Sequence, residues 1–373
     1  MSIRTLDSRP VGARILSIDF FRGVIMFLLI GSATGLYDQL VSLGLHGSII
    51  RAIGLQFQHH PWQGLRAWDL GQPFFMFISG VAMVFSYERR WDRGESWKST
   101  FGHALRRAIL FFVIGWALGH INPIENGGPG EFLQDILPQL AVAGLLGFLT
   151  LRRTSAIQAG AAVGLLVLTE ILYRLWPLPG AANAFVPGGN FGSRLDLALF
   201  GRLSEGNWVA FNVVPSTVFI LAGILAGRLL KSGQSSSTIL KALILCGSSL
   251  TSAGLILSFV TPVIRRICSS SFVLVSVGLG LLALALAYWL IDVAKLRIGA
   301  VFFLCVGMNP LFLYLFAMSG GGEWLRRLVE PFTMAFARWI GDDPAQVVTS
   351  ASTWGLLWAL GYWLYRKRIF IRI

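Results

Sequence analysis

Apolar residues recur along the chain in about ten runs of helical length, and polar residues are concentrated between the runs. A membrane-crossing helix needs roughly 20 mainly apolar residues, and each run approaches that length. The pattern therefore predicts an all-α fold, a polytopic membrane bundle of about ten transmembrane helices. The predicted spans are 15–36, 70–87, 104–121, 132–151, 155–176, 211–230, 238–259, 271–293, 298–317 and 347–365.

The composition supports this class of protein. Of the 373 residues, 55% are hydrophobic and 13% are charged, whereas about 25% of the residues in soluble proteins are charged. The bundle is thus expected to lie in membrane lipid. No repeat at a fixed period divides the sequence, so residues 1–373 are interpreted as a single membrane domain. Faces rich in Gly and Ala, such as 159–164, permit close helix packing and leave a homodimer open.

The basic residues predict the orientation of the bundle. The chain has 31 Lys and Arg against 18 Asp and Glu, and basic clusters flank the apolar runs, as at 152–153 and 295–297. Cytoplasmic loops carry an excess of Lys and Arg. An even number of spans places both termini on one side, and this rule predicts that both are cytoplasmic. The short leader before the first span suggests the inner membrane of a bacterium.

Other classes of protein fit the sequence less well. A net charge of +13 would suggest nucleic-acid binding in a soluble protein, but no aromatic-basic RNA motif or zinc-finger spacing is present. Cys246, Cys268 and Cys305 are far apart and have no metal-ligand spacing. No third His or Cys lies at ligand spacing from His59 and His60. The sequence predicts neither nucleic-acid binding nor a metal site.

Two charged residues interrupt the first apolar run. Asp19 and Arg22 are three residues apart, so they share a helix face and can pair. A charge at membrane depth must pair or face a wet cavity, and such residues are functional candidates. The pair either holds the helix at its depth or belongs to a site, and the sequence leaves both alternatives open.

Two adjacent histidines precede the second apolar run, in the segment QFQHHPWQGLRAWD. They are His59 and His60, and an unperturbed pKa near 6.5 allows an imidazole to take and give protons near neutrality. Asp69, at the end of the segment, could orient an imidazole or cap the following helix. The alternative is that both histidines are interfacial residues beside Trp62 and Trp68.

Further polar residues recur near the ends of the apolar runs. Each alone is explained by a helix cap or an inter-helix hydrogen bond. Together they suggest a polar chamber inside the bundle, and the long loop at 177–210, rich in Gly and Pro, suggests a functional segment. These polar residues are Gln139, Asn190, Asp196, Asn212, Ser216, Arg265, Ser270, Asp292 and Asn309.

The succession of motifs resembles the heparan-α-glucosaminide N-acetyltransferase family of membrane acyltransferases. The resemblance covers nearly the whole chain, in order. It is carried by SIDFFRG, by HxxWxG at 59–64, by DLGQPFFMFISG, by LPQL at 137–140, by PGGN at 187–190 with Asp196, by NVVPSTVFILAGILAG at 212–227, by RRICSSSFVL at 265–274, by LIDV at 290–293, by GMNPLFLY at 307–314 and by the terminal YRKRIFIRI.

The resemblance implies a transfer of an acetyl group from cytoplasmic acetyl-CoA to an amino sugar of a glycan on the outer face. The active histidine of the family lies three residues before the tryptophan of HxxWxG, which is His59 here; His60 has no counterpart role. Two positions depart from the family pattern. Ala33 stands where an asparagine is usual, and Cys268 stands where a tryptophan is usual. Both changes leave the identity of the acceptor open.

The chemistry assigns roles to the remaining candidates. In an acetyl transfer His59 would be the general base or the acyl carrier, and Asp69 is the candidate for its orientation. Cations on the inner face suit the phosphates of acetyl-CoA, and the candidates are Arg22 with its partner Asp19, Arg106 and Arg107. The candidates for contacts to the acceptor or to the thioester oxygen are Gln139, Asn190, Asp196, Arg265, Ser270 and Asn309.

Two other functions compete with acyl transfer. Buried charges in a bundle of ten helices also suit a transporter of a small solute or sugar, although the sequence lacks the internal repeats that many transporters have. A third interpretation is a non-catalytic subunit that handles a lipid-linked partner. Transport predicts accumulation of substrate without consumption of acetyl-CoA, and the subunit predicts no turnover.

Overall fold

Every regular element in the described residues is helical. The computed structural model of the protein describes residues 15–43, 48–121, 131–204 and 206–371. The α-helices of this part of the chain are α1 (Leu16–Ser32), α2 (Leu36–Leu43), α3 (Ile49–Gln56), α4 (Gly71–Asp92), α5 (Trp97–Ile121), α6 (Ile136–Thr150), α7 (Ser155–Leu175), α8 (Phe191–Phe200), α9 (Thr217–Lys231), α10 (Ser236–Leu257), α11 (Ser270–Tyr288), α12 (Ala300–Gly307), α13 (Pro310–Phe316), α14 (Gly322–Ala337) and α15 (Asp342–Arg366).

Six helical segments are long and apolar enough to cross a bilayer, which indicates a multi-pass membrane protein. Two bent pairs, α1 with α2 at 63° and the segment from α12 to Ile340 at 74°, raise the number to eight if each pair forms one span. The all-helical class is thus confirmed for the described residues. The six segments are Ala67–Asp92, Trp97–His120, Ser155–Leu175, Ala210–Lys231, Ser236–Leu257 and Ser270–Val293.

The count of ten spans is not confirmed, and two predicted spans explain the difference. The run at 132–151 contains α6, which has only 15 residues. The run at 347–365 lies in the 25-residue α15, which is rich in Ser, Thr and Trp and therefore less apolar than the six segments. The predicted cytoplasmic termini stay a prediction, and residues 1–14 and 372–373 lie outside the described residues.

A pair of glycines brings α4 against α9. A Cβ atom on Gly80 would lie 2.2 Å from the carbonyl oxygen of Ile220, and one on Gly223 would lie 2.0 Å from that of Phe77. A larger residue at either position would therefore force the two helices apart. α1 and α11 also pack against α4, which places α4 at the centre of the bundle.

The loops gather at two ends of the bundle. The loop before α4 contacts the segments 176–190 and 258–269 at one end, which we call the His59 end. At the other end, the carboxylate of Asp292 accepts hydrogen bonds from the backbone N–H groups of Leu16 and Ser17, at 3.2 and 3.1 Å. Asp292 therefore satisfies two free N–H groups at the start of α1. We call this the Asp292 end.

Candidate active site

A histidine and a buried carboxylate form the centre of the His59 end. His59 lies in the loop after α3, and its Nδ1 is 3.0 Å from Oδ1 of Asp69, in the short 3-10 helix that leads into α4. The Asp69 side chain is fully buried, whereas 33% of the His59 side chain is exposed. Beside a carboxylate, Nδ1 carries the proton, so we assign the lone pair to Nε2. Nε2 has no hydrogen-bond partner among the described residues.

The second oxygen of Asp69 holds the loop itself. Oδ2 accepts hydrogen bonds from the backbone N–H groups of Arg66 at 2.8 Å and His60 at 3.3 Å. The guanidinium of Arg66 in turn donates to the carbonyl oxygen of His59 at 3.0 Å. Helix capping and orientation of an imidazole were alternative roles for Asp69 in the sequence. The carboxylate orients His59 with one oxygen and caps the start of the 3-10 helix with the other, whereas α4 itself has no side-chain cap.

The HxxWxG spacing connects this loop to two others. The indole N–H of Trp62 donates to the carbonyl oxygen of Phe185 at 3.0 Å, and the backbone N–H of Gly64 donates to that of Val263 at 2.8 Å. Gly64 has a φ of +140°, and a Cβ atom there would lie 2.5 Å from Nε2 of His60. Only glycine fits this position without strain. His60 therefore packs on Gly64 and supports the loop.

Arg265 lies beside the pair. Its Nε is 3.9 Å from Oδ1 of Asp69, and its Nη2 donates to Oε1 of Gln72 at 3.1 Å. The guanidinium stacks over the ring of Trp208, with its Cζ 4.4 Å from the ring centroid, and the His59 ring meets the same tryptophan edge-on at 5.6 Å. Arg265 and His59 thus share two neighbours, a carboxylate and an indole.

These surroundings set the protonation of the histidine. Burial, followed by the positive charge of Arg265, lowers the pKa of His59 to about 4, against the opposing hydrogen bond and charge of Asp69. Burial lowers the pKa of Arg265 to about 10, so its guanidinium stays charged at neutral pH. A neutral imidazole with a free Nε2 can accept a proton at pH 7, as a general base requires.

Four of the candidate acceptor contacts instead support the loops at or near the His59 end through backbone hydrogen bonds. Asn190 caps α8, Asp196 accepts from the N–H of Ala210 at 3.2 Å, Ser270 donates to the carbonyl of Leu166 at 3.3 Å and Gln139 donates to that of Gln134 at 2.9 Å. Burial raises the pKa of Asp196 to about 6, although the N–H of Ala210 opposes the effect.

The cofactor candidates and Asn309 do not lie near His59. The Asp19–Arg22 pair closes at 2.5 Å, and Arg107 on α5 is close enough to Arg22 for the two charges to repel. Arg106 points to the exposed side of α5. The amide of Asn309 binds the backbone of the C-terminal segment, donating to Ile369 and accepting from Ile371, both at 2.9 Å. Its amide group is therefore used structurally.

The positions that depart from the family pattern both lie at turns. Ala33 forms the end of α1. Cys268 is buried with a φ of +48°, in the loop that carries Arg265. The hydroxyl of Ser269 shapes this loop, because it accepts from the N–H of Ile264 at 3.0 Å and donates to the carbonyl of Pro262 at 2.8 Å.

Sequence reasoning missed three residues of the site. Gln72 lies in DLGQPFFMFISG and Ser269 in RRICSSSFVL, so their spacing from Asp69 and Arg265 was an available signal. Trp208 had no such signal, since it lies in a long loop and is one of 13 tryptophans.

Within the described residues, no group of three or more His, Cys, Asp or Glu side chains is arranged to hold a metal ion. In comparisons with known proteins, no protein-family model and no curated sequence matches the chain.

Proposed function

We propose that the protein is an integral membrane acyltransferase that moves an acetyl group from acetyl-CoA to an amine or hydroxyl of an amino sugar, with His59 as the general base. The observation that carries the proposal is the buried Asp69 holding Nδ1 of His59 at 3.0 Å, while Nε2 stays free in the described structure. The apolar runs add about ten spans to this proposal, and the distribution of Lys and Arg adds cytoplasmic termini. The ordered motifs from SIDFFRG to GMNPLFLY add the donor and the acceptor class.

In the proposed step, one nitrogen, Nε2 of His59, accepts a proton and later returns it. The acceptor N–H or O–H gives its proton to Nε2 of His59 as its N or O attacks the thioester carbon. The C–S bond then breaks, and the leaving CoA sulfur takes the proton from Nε2. Asp69 stabilises the imidazolium between these two transfers. Arg265 has a buried Nη1 without a hydrogen-bond partner among the described residues, and this cation suits the negative charge on the thioester oxygen. A carrier role, with the acetyl group on Nε2, uses the same nitrogen.

The donor is expected to enter from the Asp292 end. Arg22 and Arg107 each have a buried Nε without a hydrogen-bond partner in the described part of the chain, as expected for residues that bind an anion. Arg107 lies beside Tyr87, 18 residues after Asp69, which is about 27 Å along the helix. The pantetheine arm would therefore run alongside α4 towards His59.

Purified protein with radiolabelled acetyl-CoA tests the proposal directly. We expect release of CoA that depends on glucosamine and yields labelled acetyl-glucosamine. If acetyl-CoA binds but no sugar with an amine or hydroxyl group causes release of CoA, the acceptor class is contradicted. If acetyl-CoA neither binds nor reacts, the acyltransferase proposal fails.

Transport is the second candidate function, and the bent helices favour it. Discontinuous helices are common in transporters, and α12 ends at Gly307 before α13 begins at Pro310. Solute uptake into proteoliposomes in the absence of acetyl-CoA would favour this function over transfer.

The acid limb of the pH profile is expected to shift when Arg265 is replaced by glutamine. Because the pKa of His59 is about 4, about nine-tenths of the protein molecules carry an unprotonated imidazole at pH 5. For this reason kcat/KM of the parent chain should change little between pH 7 and pH 5. Arg265→Gln removes a positive charge that lowers this pKa, so the limb moves to higher pH. The measurement is kcat/KM from about pH 4.5 to 8.

Arg266→Gln is the matched control for this shift. Arg266 also stacks on Trp208, with its Cζ 5.5 Å from the ring centroid, but its charge has the smallest effect on His59. The control should move the limb less than Arg265→Gln does. An unchanged limb in Arg265→Gln would mean that His59 is not the titrating base.

A further inference from the structure

An apolar groove runs between α1, α4 and α11 and reaches the His59 loop. Its volume is about 330 Å³, and every residue in its wall is apolar, aromatic or glycine. Val24 and Leu28 of α1, Gly71 and Phe74 beside the site, and Ala283 and Leu290 near the Asp292 end line it. A wall without polar side chains suits a hydrocarbon and does not suit a sugar or a nucleotide.

The groove is long and opens sideways. It follows α1 from Leu29 to Phe20, nine residues or about 14 Å. Leu286 of α11 lies at its edge, and 57% of that residue is exposed on the outer surface of a candidate membrane span. With this span in a bilayer, lipid would have access to the groove beside Leu286.

Two aromatic residues connect the groove to the candidate active site. Phe57 and Trp68 line its end and belong to the same segment as His59. The ring of Trp68 lies 6.4 Å from that of His59 and 5.5 Å from that of Tyr37. A chain in the groove would thus place its polar end at Trp68, next to the imidazole.

The charge around His59 indicates the chemistry of that polar end. The His59 loop is surrounded by three cations, Arg66, Arg265 and Arg266. Among the described residues, Asp69 supplies the single carboxylate in contact with His59. Besides Nη1 of Arg265, which is proposed above for the thioester oxygen, Nε of Arg265 and Nε of Arg266 are buried without hydrogen-bond partners in the described part of the chain. Unpaired guanidinium nitrogens favour an anionic group such as a phosphate.

We infer that the acyl acceptor is a sugar linked through phosphate to a long hydrocarbon chain. The chain occupies the groove, the phosphate lies among the arginines, and the amine or hydroxyl of the sugar reaches Nε2 of His59. This inference rests on the proposed acetyl transfer, and it adds the class of acceptor to that activity.

A glycine in the groove wall allows a sharp test. A Cβ atom on Gly71 meets no atom within 4 Å, so a side chain can be added there without a clash at Cβ, and Gly71→Leu is expected to narrow the groove. Ala283→Phe fills it from α11, farther from His59. Gly160→Leu on α7 is the matched control, because its Cβ position is equally open and lies outside the groove. The acceptors are soluble glucosamine 1-phosphate and the same group on a polyprenyl chain in detergent micelles.

Gly71→Leu and Ala283→Phe, the two groove-filling variants, are expected to raise KM for the lipid-linked acceptor about tenfold or more, which corresponds to about 1.4 kcal/mol of lost binding. KM for the soluble acceptor should stay unchanged in both variants. The control Gly160→Leu should leave both KM values unchanged. If the soluble acceptor is turned over, and if the parent chain and the groove-filling variants have equal KM values for the lipid-linked acceptor, the inference is overturned. Acetyl transfer would still stand in that case.

A binding measurement keeps the groove testable without turnover. A polyprenyl phosphate with a photoreactive diazirine should crosslink to peptides of α1 and α11 in the parent chain and much less in Gly71→Leu. A phosphatidyl lipid with the same diazirine that crosslinks equally well would identify a resident membrane lipid and overturn the inference. Absence of CoA release from both acceptors would instead count against the proposed function.

Discussion

Replacement of His59 by glutamine is expected to lower kcat/KM for acetyl transfer by about 10²–10⁴-fold, because the step loses its general base. Glutamine can still donate a hydrogen bond to Asp69, so the buried carboxylate keeps a partner and the loop should hold its shape. The measurement is the release of CoA from radiolabelled acetyl-CoA, with binding of acetyl-CoA recorded in parallel.

Binding of the donor separates this effect from a loss of folding. The candidate phosphate contacts Arg22 and Arg107 lie far from His59, so His59→Gln should bind acetyl-CoA as the parent chain does. His103→Gln, on the exposed side of α5, is the control for the removal of an imidazole and should keep full activity. A His59 variant that retains a large share of the parent rate would rule out this residue as the base.

The membrane class and most helices follow from the apolar pattern, since a long apolar run leaves the backbone few alternatives to a helix in lipid. The predicted runs 211–230 and 238–259 lie within two residues of Ala210–Lys231 and Ser236–Leu257. The run 298–317 is not one continuous helix. It breaks after Gly307, and Pro310 starts a new helix because proline fits the first turn and cannot continue the previous one.

The segments between the runs were harder to predict. The stretch 318–346 lies between two predicted spans, yet it contains α14, which packs against α15. Thr333 of α14 hydrogen-bonds to Thr349 of α15, whereas apolar side chains of α14 such as Phe332 are exposed. An amphipathic helix of this kind is too polar for a search based on continuous apolar runs. The same limitation hid α2 and α3 in the segment 37–69.

In the candidate site, contacts between residues close in the sequence could be predicted, whereas contacts between distant segments could not. His59 and Asp69 are ten residues apart in one segment, so their pairing could be proposed from the sequence alone. Arg265 was a candidate, but its place beside Asp69 depends on a loop almost 200 residues later, shaped by Ser269 and by the left-handed backbone of Cys268. Such contacts depend on the packing of helices, and a single sequence does not specify it.

Replacement of Asp69 by asparagine should be nearly as damaging as the loss of His59, about 10²–10⁴-fold in kcat/KM. The asparagine oxygen can still accept from the backbone of Arg66 and His60, so the loop and the 3-10 helix before α4 keep these hydrogen bonds. The amide NH₂ then faces Nδ1, which must act as the acceptor, and the proton moves to Nε2. The ring is still present, but its reactive nitrogen no longer has a free lone pair.

Asp292→Asn is the matched control, because Asp292 also accepts two backbone N–H groups but lies at the other end of the bundle. It should reduce thermal stability slightly and leave kcat/KM near the parent value. The double variant His59→Gln with Asp69→Asn is expected to be no slower than the worse single variant, because the two residues act as one unit. Fully additive losses would show that Asp69 acts only on the helix start, and the catalytic role of the pair would then be excluded.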